Sequence, residues 1–472
     1  MKFIVSDNLP GENSFGKWNY TNDNGIHTWG DGSKIILWLG YTIDKDIEEI
    51  IQKDIQQIKN ANGNFCVVVL HKDSMEVYLD YFGQTKVYYD TRDGLTVTNN
   101  IGSLPLSKSD INTASINRFM QGLGDNMPMY ACKDPMNMKW IYEWNNFSQD
   151  NTVFNNVSSI PRDYCLKHKD EKTSLERLHD TYAKNFSSFG SNEKMSDNQL
   201  EDIIHQCMEQ HSTIIKKNNH NICSSISEGI DSTLQDQYFN ANTRLMYHPK
   251  DSTTVEELPP KANLIEQYKD AGKEICFDLF DVTNIDTITQ QNICDPMLSC
   301  VDTVPTIWQV NNLSQKPDIL IYGSYGDEMF MHVPKFLFAR IPPPHRQRYE
   351  NTYGGRKSPA RPFADPYKGE VVKDWQTRFA EMALPNRYGR DIQTQTGVLT
   401  TSLYADRRIF NLLHRATMHQ QLDSMADVGI QKRILKNQFD FNFQTKFKDG
   451  AGYECRMVIK QLLTNVIGKI IK

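Results

Sequence analysis

No stretch of this chain is apolar over the length of a membrane-spanning helix, and its first residues, MKFIVSDNLPGENS, lack the apolar core of a secretory leader. No membrane association is therefore expected. The nine cysteines (66, 132, 165, 207, 223, 276, 294, 300 and 455) include no C-x-x-C pair, and their odd number and scattered spacing argue against a disulfide framework. Reduced thiols in a cytoplasm are the expectation. Charge of one sign is also scarce. With 52 basic and 58 acidic residues the formal charge is −6, so nothing global predicts nucleic acid as the main partner. There is no G-x-x-x-x-G-K-[ST] phosphate loop. His205, Cys207 and His211 lie close in sequence, but positions 205 and 207 face different sides of a helix, so no metal centre is expected there.

What is present is a folding chain. Its 472 residues, 39% hydrophobic and 11% aromatic, suffice for about two or three domains with real cores. Residues 1 to about 170 read as strand-rich. Strands are expected over Lys34–Gly40, Gly63–Leu70, Met75–Asp80, Lys86–Tyr89 and Leu95–Thr98, with turn residues between them and a helix over Ile43–Lys59. Asp170 to Asp197 is polar and reads as a linker, helical around Leu175 to Tyr182. From Leu200 on, amphipathic helices alternate with short apolar strands (Ile222–Ile226, Thr243–His248, Glu274–Asp281, Ile319–Tyr322). That alternation predicts a parallel α/β sheet, which binds ligands at the carboxyl ends of its strands.

Two of those strand ends carry chemistry. After Ile226 comes Ser227-Glu228-Gly229-Ile230-Asp231-Ser232 and then a helix. Unpaired first-turn N–H groups and the helix dipole make such a place an anion site. Ser227 and Ser232 add hydroxyl donors, Gly229 lets the backbone approach a phosphate, and Asp231 can hold a bridging Mg²⁺. After Tyr322 comes Gly323-Ser324-Tyr325-Gly326-Asp327-Glu328, whose paired acids sit where a second cation ligand would be needed. Read alone, each is also an ordinary helix N-terminus. Residues 334 to 370 form a long Pro-, Gly- and Arg-rich stretch, compatible with a solvated connection, a lid, or a surface for a peptide or nucleic acid.

Several segments resemble asparagine synthetases, in the order those enzymes carry them. The 227–232 loop is similar to the S-G-G-x-D-S loop of the PP-loop ATP pyrophosphatases, with Glu228 in place of a glycine. GNFCVVVLHKDSMEVYLDYFGQTKVYYDTRDGLTVTNNIGSL and residues 151–161 resemble the later strands of a class II (N-terminal nucleophile) glutamine amidotransferase domain. Residues 323–330 are similar to S-G-E-G-x-D-E-x-F, with Ser324 at the first glutamate and Tyr325 at the second glycine. Residues 396–410 resemble a further core segment that retains Gly397, Asp406 and Arg407 or Arg408. Gly429-Ile-Gln-Lys-Arg-Ile-Leu-Lys436 is similar to a K-W-L-L-R helix with Lys432 at the lysine, and residues 446–453 resemble a K-x-G-F turn.

The resemblance implies an αββα sandwich of the N-terminal nucleophile type over 1–170, and a parallel α/β PP-loop domain over 195–472. It also implies what is missing. The family's nucleophilic cysteine directly follows the initiator Met, where this chain has Lys2, and Cys66 lies within a predicted strand. A buried thiol is neither exposed nor activated, so no glutaminase activity is expected, as in β-lactam synthetases. Exposure of Ser6 or Ser14 by processing has no support in the sequence. Thr401 stands near the arginine that would grip aspartate, and Arg387 or Arg390 could hold another anion. The implied activity is an ATP-dependent C–N ligase that adenylates a carboxylate and joins it to an amine. Ser227, Gly229, Asp231, Ser232 and Gly323 would hold ATP, Asp231 and Asp327 would hold Mg²⁺, and Lys432, Glu328 and Tyr325 would act in catalysis. A non-catalytic homologue serving binding or assembly is the competing class, and an adenylating enzyme acting on RNA or a peptide a third. The carboxylate, the amine and any homo-oligomer are left open.

Overall fold

A computed structural model describes residues 1–23, 25–107, 110, 154–160, 164–178, 195–227, 229–249, 259–280, 304–323, 325–329, 387–415 and 429–443. The 334–370 stretch and the 446–453 turn lie outside the described residues.

Two six-stranded antiparallel sheets build the first part. One runs β10 (Val157–Ser159), β8 (Tyr88–Asp90), β9 (Thr96–Thr98), β1 (Phe3–Ser6), β3 (Trp18–Asn22), β2 (Asn13–Phe15). The other runs β12 (Lys172–Arg177), β11 (Tyr164–Lys169), β7 (Ser74–Leu79), β6 (Gly63–His71), β5 (Lys34–Thr42), β4 (His27–Gly30). Strand periodicity explains the layering. In β6, Cys66, Val68 and Leu70 point into the core shared with Phe3, Val5 and Trp18. Phe65, Val67 and Val69 point the other way, under helix α1 (Ile47–Lys53) and a 3-10 turn at Ile55–Asn60. A strand buried on both faces reads as an unbroken apolar run, which β6 is. The described residues thus show two stacked sheets and one helical cover.

Two local expectations need correction. The helix expected over Ile43–Lys59 is broken at Asp54, whose extended backbone ends α1 and whose carboxylate accepts from Gln56 N to start the 3-10 turn. The helix expected around Leu175 is strand β12 up to Arg177, paired with β11 through a two-residue turn at Asp170 and Glu171.

The second part holds a five-stranded parallel sheet in the order β15 (Cys276–Phe280), β14 (Thr243–Pro249), β13 (Ile222–Ser225), β16 (Ile319–Tyr322), β17 (Leu399–Thr401). Helices follow between strands: α2 (Asp197–Asn218) before β13, α3 (Ile230–Gln237) after it, α4 (Pro259–Asp270), α5 (Val304–Asn312), the short turn α6 (Gly326–Met329), α7 (Arg387–Thr396), α8 (Arg407–Arg415) and α9 (Gly429–Phe439). α2 begins with a full capping box, Ser196 and Gln199 each satisfying the other's backbone N–H. Among the described residues no helix is long and apolar enough to cross a membrane.

The two parts share one apolar core, bridged by Tyr81, Phe82, Tyr325 and Phe410. Around that bridge runs a seam of buried hydrogen bonds. Tyr41 Oη meets His211 Nε2 and Thr401 Oγ1, each at 2.8 Å. Asn62 Nδ2 donates to Asp406 Oδ1, and Asn64 Nδ2 to the Thr400 carbonyl. Gln393 Nε2 reaches Thr85 Oγ1, and the Met1 nitrogen donates to the Gly397 carbonyl.

Candidate functional site

The parallel sheet reads 3-2-1-4-5 in chain order, so its connections change direction between β13 and β16. At such a switch point ligands bind outside the carboxyl ends of the strands. The loops here are 226–229, leading to α3, and 323–325, leading to α6. The pairing of Ser225 with Tyr322 brings their starts side by side.

Helix α3 begins at Gly229, which has extended backbone and no side-chain cap. Its first-turn N–H groups are the kind an anion can satisfy. The Ser232 hydroxyl organises the loop behind them. It accepts from Ser227 N at 3.0 Å and lies within hydrogen-bond distance of Ser227 Oγ and the Gly229 carbonyl. Ser227 Oγ accepts in turn from Gly229 N at 3.1 Å. The hydroxyls expected as phosphate donors therefore also shape the loop.

α3 is pinned from its far side. Arg244 Nε donates to Asp236 Oδ2 at 2.8 Å within the core. Gln235 donates to the Tyr322 carbonyl and accepts from Leu403 N, tying α3 to the ends of β16 and β17. Both sides of its amide are satisfied, so α3 cannot shift without breaking a buried contact.

The second loop presses on the first. A methyl group at Gly323 would meet Ser232 N at 2.9 Å, and one at Gly326 would lie 2.2 Å from Asp231 Cγ. Only glycine permits this approach. Asp327 follows Gly326 directly, so the chain that carries it touches the Asp231 carboxylate. Asp231 itself is half-buried and held twice. Tyr404 Oη donates to its carbonyl at 3.0 Å, and Gln431 Nε2 to its Oδ1 at 2.5 Å. The Asp231 carboxylate is a hard oxygen ligand of the kind Mg²⁺ takes.

The structure brings Ser227, Gly229, Asp231, Ser232 and Gly323 together. Asp327 and Glu328 lie on α6, and their side chains are outside the described residues, as are Glu228 and Ser324. Tyr325 is placed otherwise: its backbone is left-handed (φ 70°), and its ring is buried against Phe82 at 5.7 Å between centroids. In this structure its ring contributes packing at the seam. Lys432 is half-buried on α9, one residue beyond Gln431. Arg387 and Arg390 lie on α7, their side chains outside the described residues. Thr401 is buried in the seam against Tyr41 and Gln84. Asp406 and Arg408 form a hydrogen-bonded ion pair there, and Arg408 also reaches Gln210 and the Cys207 carbonyl. Gln235, Tyr404 and Gln431 were missed by sequence reasoning. Single glutamines and tyrosines carry no spacing signal, although two of them adjoin segments that were singled out.

Elsewhere, Cys66 is buried in β6, and burial pushes its thiol up. Ser6 is buried in β1 and bonded to Thr96 at 2.7 Å. Asp7, His168 and Glu171 come within 4.8 Å of one another. The Lys17 ammonium lies among them, 2.7 Å from Glu171 and 3.2 Å from His168 Nε2, so this cluster holds a cation of its own.

The chain matches no family model and no curated protein. Among solved structures it is similar to the allosteric regulatory enzyme of purine biosynthesis, at 10% identity over 59% of this chain and 74% of that one, with a TM-score of 0.22. It is also similar to glutamine phosphoribosylpyrophosphate amidotransferase from B. subtilis complexed with ADP and GMP. That likeness has 11% identity over 70% of this chain and 71% of the other, with a TM-score of 0.21. Likenesses this slight decide neither fold nor chemistry.

Proposed function

We propose that the protein is an ATP-dependent amide-forming ligase without glutaminase activity of its own. A substrate carboxylate oxygen attacks the α-phosphorus of ATP and pyrophosphate leaves. An amine then attacks the acyl carbon of the adenylate, loses a proton, and AMP departs. The observation that carries this reading is the switch-point crevice, where the uncapped start of α3 and the Asp231 carboxylate meet the chain that carries Asp327. The resemblance to asparagine synthetases supports the same assignment.

In this reading the α3 N–H groups, Ser227, Gly229, Ser232 and Gly323 receive phosphate oxygens. Asp231 and Asp327 would hold Mg²⁺, which supplies charge neutralisation when bound. Lys432 stabilises developing negative charge, with Glu328 the other proposed catalytic group. Burial of Cys66, which pushes its thiol up, supports the loss of glutamine hydrolysis. A binding or assembly homologue is the second reading, favoured by Glu228 beside the phosphate loop, where a carboxylate repels a triphosphate.

The test is pyrophosphate release from ATP and Mg²⁺ against a panel of carboxylates and amines. Release that requires one carboxylate and vanishes in Asp231→Ala supports the ligase. Silence across the panel, with no ATP binding, favours the binding homologue.

A further inference from the structure

The amide of Gln431 is wholly buried, yet it sits at the crevice. Its Nε2 donates to Asp231 Oδ1 at 2.5 Å and approaches Tyr404 Oη at 3.5 Å, while its Oε1 has no hydrogen-bond partner among the described residues. The orientation is fixed by charge. Reversing the amide would aim its oxygen at the carboxylate and leave the N–H groups unpaired. A buried acceptor left unsatisfied is costly, so Oε1 beside the Asp231 carboxylate needs a donor that the described chain does not provide. A water on a hydrated cation is such a donor, because Mg²⁺ keeps several of its waters in protein sites.

We propose that Gln431 is a positioning residue for the cation held by Asp231, orienting the carboxylate through Nε2 and accepting from a cation-bound water through Oε1. This deepens the proposed function and rests on it. It assigns the start of α9 to the metal site. It also makes Tyr404 a partner in the same clamp, since Tyr404 holds the Asp231 main chain while Gln431 holds its side chain. Gly326 completes the arrangement, because any larger residue would push the carboxylate off the amide. Partners of this kind, once removed, typically cost about 10- to 100-fold in metal affinity.

The test uses the full chain with Mn²⁺ as the probe. Bound metal is counted by electron paramagnetic resonance with a non-hydrolysable ATP analogue present, and metal-free analogue binding is measured by calorimetry. Gln431→Leu removes donor and acceptor, and Gln431→Asn keeps both but withdraws them by one methylene. Thermal melts accompany each variant, so Gln431→Asn decides if Gln431→Leu fails to fold. Both are expected to weaken Mn²⁺ binding at least tenfold while metal-free analogue binding stays within about twofold. That split is one that a merely structural role would not produce. Mn²⁺ affinity within twofold of wild type in a folded variant overturns the inference. Asp231→Ala separates the two claims. If it abolishes Mn²⁺ binding while the Gln431 variants retain it, only the positioning role fails. If Asp231→Ala retains it, the metal site itself is wrong, and the role of Gln431 with it.

Discussion

His211 shows how one side chain can make the whole fold sensitive to acid. It is fully buried at the seam, bonded to Tyr41 and 3.9 Å from Asp406, and burial lowers its pKa to about 4. Burial also opposes ionisation of Asp406, but hydrogen bonds from Arg408 and Asn62 and the nearby His211 outweigh it and hold that carboxyl below its usual range. Both folded-state values are depressed, so between about pH 6.5 and 4 the unfolded chain binds more protons than the folded one. The stability these groups supply is present above the unfolded pKa of each and is lost as pH falls. For His211 the shift corresponds to about 3 kcal/mol. Urea midpoints should fall steadily from pH 7 to pH 4, and His211→Gln should flatten that slope. An unchanged slope in the variant would show that His211 titrates normally. Little of this was legible at the residue scale. Asp406 and Thr401 were singled out through resemblance, but their buried partners Asn62 and Tyr41 lie more than 300 residues away in sequence. By contrast, Ser227, Asp231 and Ser232 were legible because a strand–turn–helix transition is a local signal.

Among elements, the loop carrying Gly326 is the sharpest case. Its φ is ordinary, so alanine is permitted by the backbone and excluded only by the Asp231 carboxylate at 2.2 Å. Gly326→Ala should fold with a melting temperature within a few degrees of wild type and lose at least tenfold in Mg²⁺-dependent ATP binding. Retained binding would place the cation elsewhere. The hairpin of β11 and β12 offers a stability test. Asp170 and Glu171 both adopt left-handed backbone, φ 50° and 57°, a conformation costing about 1–2 kcal/mol for most side chains. Glu171→Gly removes that strain at the second position, where such turns favour glycine. It gives up only a surface pair with Lys17, and exposed pairs contribute little. A higher urea midpoint is expected; a lower one would mean that the pair outweighs the turn. The same hairpin shows why its strand was unreadable. Leu175, Leu178 and Tyr182 repeat at helical spacing, and only pairing with Tyr164–Lys169 makes 172–177 extended. The isoleucines of 47–58 likewise share a face, but a capping aspartate inside the run divides it. Longer patterns such as β5, β6 and α2 were legible because periodicity and burial agree over many residues.

At the scale of the whole molecule, the sandwich and the parallel sheet share one apolar core and are expected to unfold together. Phe82 packs on Tyr325 at the second loop of the crevice, so the sandwich holds part of the proposed site in place. Asn62→Ala would leave the buried Asp406 without one donor and Arg407 N without its acceptor. It should cost about 1.5–3 kcal/mol, the range for hydrogen bonds to charged groups. Unfolding followed by circular dichroism and by proteolysis should remain a single transition; two transitions would show that the parts fold separately. The parallel sheet was legible as alternating strands and helices, whereas its strand order, the switch point that follows from it and the polar seam depend on contacts distant in sequence. The most direct test of the central claim is calorimetric titration of the full chain with ATP, with and without Mg²⁺, beside Asp231→Ala. The account predicts one ATP site per chain that Mg²⁺ tightens, a gain that Asp231→Ala abolishes. No binding by the wild type, or a Mg²⁺ gain that Asp231→Ala leaves intact, would contradict it.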